Sequence, residues 1–236
     1  MPQERIDAGA VLLRRLCQAD ATAIAAAVRA SMKHLEPWMR WATKEAADVG
    51  HQRARIIEAE GRWDAGTDFI YSVLPPCAET GAAVREGAAV REGAAVREGA
   101  VREGAAVREG AAVREGAAVR EGAAVREGAA VREGAAVLGT FGLHRRIGPG
   151  GIEMGYWIHA DHSGRGYGTA AARALTAVAL ALPGVERVEI HCDAANAASA
   201  AIPRRLGYRL DRIEARAPAA PGESGRHLIW VQKRQI

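Results

Sequence analysis

Cysteine is scarce, and its placement matters more than its count. Cys17, Cys77 and Cys192 lie far apart, with no C-x-x-C pair and no histidines beside them at zinc-ligand spacing. That pattern gives no basis for a disulfide framework or a bound metal. The apolar run of about 18 residues that a membrane span needs is also missing. The opening MPQERIDAGAVLLRRL lacks the apolar core of a secretory signal. The expectation is a reduced, cytoplasmic protein with no membrane partner. Charge excess is small as well, at +4. It is too weak and too scattered to point to direct nucleic-acid binding, but it suits an anionic small ligand.

What the chain has in excess is a repeat. The unit G-A-A-V-R-E recurs nine times over residues 81–133, eight times in full and once shortened, then fades through Gly134-Ala135-Ala136-Val137-Leu138. In an α-helix each six-residue step turns by ~240°. The valines then scatter and form no apolar stripe. Within the six-residue period Arg and Glu do not fall at helical pairing distances, and each Gly costs ~1 kcal/mol relative to Ala. In a β-stack the even period would align the valines. The unit at residues 99–103 has only five residues, however, and flips every later side chain. The segment is read as a disordered or partly helical insertion; ordered β-structure and a partner-binding module are the alternatives. Residues 69–74 and 136–143 read as strands on either side. The insertion therefore sits in a β-hairpin loop, where added length costs little closure entropy. Residues 1–80 and 134–236 are expected to form one domain.

Residues 12–16 read as an edge strand. Asp20 stands as N-cap of a helix with Ile24, Val28, Met32 and Leu35 on one face, ended by Pro37. A second helix is expected over residues 44–63 with Ile56 and Ile57 inward. Residues 151–158 read as a strand. The turn Gly164-Arg165-Gly166-Tyr167-Gly168 then opens a helix that Pro183-Gly184 stops. A strand over 187–192 carries Val188, Ile190 and Cys192 inward and His191 at the surface. A short helix over 196–206 and strands over 208–213 and 228–232 close the chain. Helices mixed with strands and hairpins imply an α/β fold with a mixed central sheet.

The strand, glycine-rich turn and helix together form an anion cradle. A helix start leaves backbone N–H groups unpaired, and its dipole favours negative charge. Glycines let a phosphate approach the backbone closely, and Arg165 can add a charged hydrogen bond. The turn is not a Walker A loop, because no G-K-[ST] is present. It also misses the Rossmann spacing, since Ala171 stands at the third glycine position.

Arg165-Gly166-Tyr167-Gly168-Thr169-Ala170 resembles the pyrophosphate motif R/Q-x-x-G-x-G/A of the GNAT N-acetyltransferase superfamily. Glu153-Met154-Gly155-Tyr156-Trp157-Ile158 looks like the fourth strand of that fold. Asn196-Ala197-Ala198-Ser199 with Leu206-Gly207-Tyr208, and the earlier His34-Leu35-Glu36-Pro37-Trp38-Met39, are similar to the RimJ/RimL-like branch. The resemblance implies the GNAT acyl-CoA N-acyltransferase fold, acetyl-CoA as co-substrate and a primary amine as acceptor. It implies that backbone amides over Arg165, Gly166, Tyr167, Gly168, Thr169 and Ala170 hold the pyrophosphate of CoA. Trp157, Ile158 and His159 would pair with the pantetheine amides, and Asn196 would bond the same arm. Ser199 would protonate the leaving thiolate and Glu153 would act as general base through water. Trp38 and Trp41 would line the acceptor pocket.

The residues leave several roles open. Asn196 also fits an N-cap, Glu153 a substrate-orienting anion, and Trp38 and Trp41 ordinary core packing. Pro203 stands inside the short helix and deprives the Ser199 carbonyl of its usual donor, so a kink is expected there. The branch points to a protein N-terminal α-amino group as acceptor, such as that of a ribosomal protein. A small amine (aminoglycoside, polyamine or amino acid) and a non-catalytic acyl-CoA-binding scaffold are the alternatives. Monomer and homodimer both remain open.

Overall fold

The computed structural model describes residues 1–76 and 136–234. The expectations for residues 81–133 lie outside the described residues. Strands β1 (Arg5–Asp7) and β2 (Leu12–Arg15) precede helices α1 (Ala21–Leu35) and α2 (Val49–Asp64). Strands β3 (Asp68–Leu74), β4 (Gly139–His144) and β5 (Gly151–Ile158) follow, then α3 (Tyr167–Ala181). The chain continues through β6 (Arg187–Asp193), α4 (Ala197–Arg205), β7 (Arg209–Ala215) and β8 (Arg226–Lys233). One sheet runs in the order β1-β2-β3-β4-β5-β6-β8-β7. Its neighbours are antiparallel except β5 and β6, which are parallel. The expected mixed α/β sheet is present, and α3 makes the crossover that a parallel pair requires.

Strand alternation gives the sheet two buried faces. Phe69, Tyr71, Phe141, Leu143, Ile152 and Met154 share one core with Ala171, Leu175 and Ala179 of α3. Leu12, Leu74, Val137 and Trp157 share the other with Ile24, Val28 and Leu35 of α1 and Ile56 of α2. Each large apolar side chain buried in this way contributes about 1.5–3 kcal/mol.

Several sequence expectations need correction. Strand β2 is not an edge, because the three-residue β1 covers it; so short a strand leaves no periodic signal. Helix α2 begins at Val49, where Asp48 accepts the His51 N–H at 2.8 Å. Ile57 is 51% exposed beside buried Ile56, since adjacent helical positions sit ~100° apart. The Asp20 carboxylate does not cap α1. It pairs with Arg14 and accepts from the Cys17 N–H and the buried Ser72 hydroxyl. His191 is not a surface residue: its side chain is 10% exposed and bonds Glu189 at 2.7 Å. Among the described residues, no helix is long and apolar enough to cross a membrane.

The hairpin closes directly at the end where the insertion leaves it. Val73 pairs with Gly139, and the Leu138 N–H donates to the Val73 carbonyl at 2.8 Å.

Candidate active site

The sheet opens between its two parallel strands. Strands β5 and β6 pair only from Gly151↔Arg187 to Glu153↔Glu189. Beyond that point β5 stays with β4 as far as Ile158, and β6 stays with β8 as far as Asp193↔His227. The two arms diverge, and the β6-facing edge of residues 154–158 is left unpaired within the sheet. Such an edge can take an extended, amide-bearing ligand as an added strand.

A groove of about 300 Å³ runs along this edge to the start of α3. Trp157, Ile158, Gly166, Gly168, Thr169, Asn196 and Ser199 line it. Gly164 and Gly166 have φ of +76° and +84°, the left-handed region that glycine adopts at least cost. Gly166 is the N-cap, so the amides of Tyr167, Gly168 and Thr169 have no acceptor within the helix. Ala170 differs, because its N–H already bonds the Gly166 carbonyl at 3.0 Å. The expected cradle from Arg165 to Ala170 therefore stops one residue short. Together the glycine turn, the free first-turn amides and the open strand edge fit a diphosphate carrying an extended amide arm.

Helix α4 closes the opposite wall. The Asn196 side-chain oxygen caps it, accepting the Ser199 N–H at 3.0 Å. The amide nitrogen of Asn196 remains available as a donor, so the capping and ligand-binding readings are compatible. Pro203 does remove the helical donor for the Ser199 carbonyl, and Tyr156 of β5 replaces it. The tyrosine hydroxyl donates to that carbonyl at 3.1 Å and accepts from Ser199 Oγ at 3.2 Å. Burial pushes the Tyr156 hydroxyl well above the ordinary tyrosine range, and its bond with Ser199 only partly offsets this. Tyr156 thus stays a neutral donor at pH 7.

A larger cavity, about 740 Å³, lies on the α1–α2 side. Trp38, Met39, Tyr156, Trp157, Asn196 and Ser199 belong to both walls, so groove and cavity meet at these residues. Its floor carries Asp68, His144 and Glu153, and these stand opposite one another in register across three strands, with Glu189 of β6 continuing the row beyond the cavity. Arg146 grips Glu153 with two hydrogen bonds, 2.8 and 2.6 Å. Burial pushes the Glu153 carboxyl up, but this pair outweighs it and holds the group below the usual carboxylate range. Glu153 is consequently a poorer base than its sequence position suggested. His144 Nδ1 lies 2.9 Å from Asp68 Oδ1, and burial keeps the imidazole below the ordinary histidine range despite that partner. Glu189 is buried between Arg187 and His191, which hold its carboxyl low against the opposing effect of burial.

The structure brings Glu153, Ser199, Asn196, Trp157, Trp38 and Trp41 to the walls of this double cavity. Trp41 packs against Trp157 with ring centroids 6.1 Å apart, and Arg55 lies over its ring. His159 is turned to its own short helical turn, where Nδ1 accepts the Asp161 N–H at 3.1 Å. Arg165 is exposed and Tyr167 packs against the α3 core; neither side chain lines the groove. Sequence reasoning missed Tyr156, His144 and Asp68. The register of the hairpin, once its insertion is set aside, is the signal that places Asp68 opposite His144.

Residues 103–209, just under half the chain, match the family model described as an acetyltransferase (GNAT) domain. No curated protein matches the sequence. Among solved structures, the chain is similar to RimL, a ribosomal L7/L12 α-N-protein acetyltransferase in complex with coenzyme A. That match has 14% identity, a TM-score of 0.67, and covers 98% of each chain. It is also similar to a ribosomal-protein-S5-alanine acetyltransferase from Vibrio fischeri, at 12% identity and TM-score 0.67, covering 98% of this chain and 97% of that one. A third is the microcin C7 self-immunity acetyltransferase MccE in complex with acetyl-CoA and AMP, at 13% identity and TM-score 0.66, covering 96% and 93%. At these identities the likeness establishes a shared fold.

Proposed function

We propose that the chain is an acetyl-CoA-dependent acetyltransferase of the GNAT family, whose domain model matches residues 103–209, and that it acetylates a protein N-terminal α-amino group, in the manner of the RimJ/RimL-like branch. One observation carries the choice of acceptor: among the described residues, the carboxylates that line the cavity already have partners. Asp68 is engaged by Arg62 and His144, and Glu153 by Arg146. Asp193 accepts from the Ala195, Ser224 and Gly225 amides, and Glu223 from the Ala219 amide. A polyamine or aminoglycoside needs several free carboxylates at once, whereas a peptide terminus brings one cation. A cavity of about 740 Å³ also has room for residues beyond the reacting one.

In this reading the amides of Tyr167, Gly168 and Thr169 hold the diphosphate, and the free edge of β5 aligns the pantetheine arm. Asn196 donates to that arm from its nitrogen. Acetyl-CoA supplies the activated acyl group. Tyr156 and Ser199 stand where groove and cavity meet, and their linked hydroxyls are placed to give a proton to the departing sulfur. An α-amino group has a free pKa of about 7.7–8.0 against about 10.4 for lysine, so a mild base suffices to neutralise it. Holding amine and acyl donor in one cleft supplies much of the acceleration.

CoA release from acetyl-CoA should be measured against peptides with free or blocked N-termini, polyamines and aminoglycosides, with mass-spectrometric location of the acetyl group. Acetylation at Nα of free peptides supports the reading. Turnover confined to the small amines rejects it. Ser199→Ala should lower kcat by roughly 10-fold or more while leaving CoA affinity in place.

A further inference from the structure

We propose that His144, oriented by Asp68, takes the proton from the incoming acceptor amine. The assignment rests on the amine-acetylation reading above.

The geometry carries it. His144 is the last residue of β4 and faces the cavity. Its Nδ1 is tied to Asp68 Oδ1 at 2.9 Å, and the other Asp68 oxygen bonds Arg62 Nε at 2.8 Å. That arrangement fixes the ring and its tautomer, with the proton on Nδ1 and the lone pair on Nε2. Nε2 has no hydrogen-bond partner among the described residues. Two glycines make room for it. Gly142 and Gly155 face each other across β4 and β5. A Cβ at Gly142 would stand 2.5 Å from Nε2, and one at Gly155 would stand 3.7 Å away. The imidazole therefore lies over bare backbone on the cavity floor. Gly155 immediately precedes Tyr156, whose hydroxyl meets Ser199 at the groove junction.

The groups around the ring are Asp68 on β3, Glu153 opposite on β5, Arg146 after β4, and Arg62 of α2 beyond Asp68. Burial and Arg146 favour the neutral imidazole, whereas the two carboxylates favour the cation. The ring is thus free of its proton near pH 7 and has an anion ready to stabilise the charge it acquires. The chemistry balances. The ammonium proton passes to Nε2 and on to solvent. The freed nitrogen pair forms the C–N bond, and the cationic nitrogen of the tetrahedral intermediate gives its second proton to Nε2. The C–S bond breaks, the thiolate takes a proton from the Tyr156–Ser199 hydroxyls, and the second proton restores them, leaving the neutral amide and the CoA thiol.

The test follows kcat against pH, with CoA affinity by titration, for the full-length wild type, His144→Gln and Asp68→Asn. His144→Gln should bind CoA as the wild type does and lose on the order of 10²–10⁴-fold in kcat. Its residual rate should rise with pH without the wild-type acid limb. Asp68→Asn removes a carboxylate that raises the His144 pKa, so its acid limb should move to lower pH. If His144→Gln does not fold, Asp68→Asn decides alone. A His144→Gln enzyme with wild-type kcat and an unmoved limb overturns the assignment, as does an unmoved limb in Asp68→Asn. A wild type that binds CoA but acetylates no amine overturns the amine reading and this assignment together; a His144→Gln enzyme that keeps the wild-type kcat on an active wild-type background overturns this assignment alone.

Discussion

The Tyr156 hydroxyl donates to the Ser199 carbonyl at 3.1 Å, and that carbonyl is the one Pro203 leaves without a helical donor. The proline and the tyrosine form one device. Helix α4 runs unbroken through Pro203, and the one helical hydrogen bond it lacks beside the junction of groove and cavity is replaced by a side chain from the opposite wall. Tyr156→Phe should cost about 1–3 kcal/mol, the range for leaving a buried carbonyl unpaired. Combining it with Pro203→Ala restores a backbone donor at position 203. The double variant should recover much of the loss in urea unfolding, and a purely additive result would break the link.

Gly166 carries the turn into α3 at φ +84° with nothing near its missing Cβ. Gly166→Ala therefore meets only backbone strain, of about 1–2 kcal/mol. Relief of that strain should rotate the first-turn amides, so the Kd for CoA should rise along with the fall in thermal stability. An unchanged Kd would remove those amides from the diphosphate site.

Asp193 ties the end of β6 to the turn before β8. Burial raises its pKa, but donors from Ala195, Ser224 and Gly225 outweigh that and hold it below the usual range. A depressed carboxylate stabilises the fold above its unfolded pKa of about 3.9, and the contribution fades as pH falls through the lower folded value. Asp193→Asn should be less stable than wild type by roughly 1–3 kcal/mol at pH 7. The gap should shrink in denaturant titrations carried below about pH 4.

Deleting residues 81–133 should leave turnover and CoA affinity close to the parent values. Strands β3 and β4 pair through Val73↔Gly139 at the end where the insertion departs, and every wall residue described for the site lies outside it. A folded deletion variant without activity would give the repeat a part in the chemistry.

The strand, glycine turn and helix over residues 151–181 were legible because their signals are local: glycine at left-handed positions, an apolar face, a Pro-Gly stop. Asn196 was legible as a cap for the same reason. Tyr156, His144 and Asp68 were not, because each draws its role from a distant partner. His144 meets Asp68 76 positions away and across the repeat, so only the hairpin register joins them. Glu153 was placed correctly on β5, but its weak basicity follows from Arg146 in the adjoining turn, a contact that no spacing rule predicts. Pro203 correctly signalled an orphaned carbonyl; what the sequence could not show was the hydroxyl that satisfies it.

The most direct test is a calorimetric titration of CoA into the purified full-length protein. The cleft between β5 and β6 predicts one saturable site, weakened by the Gly166→Ala change. Heats that never saturate would contradict the account at its base.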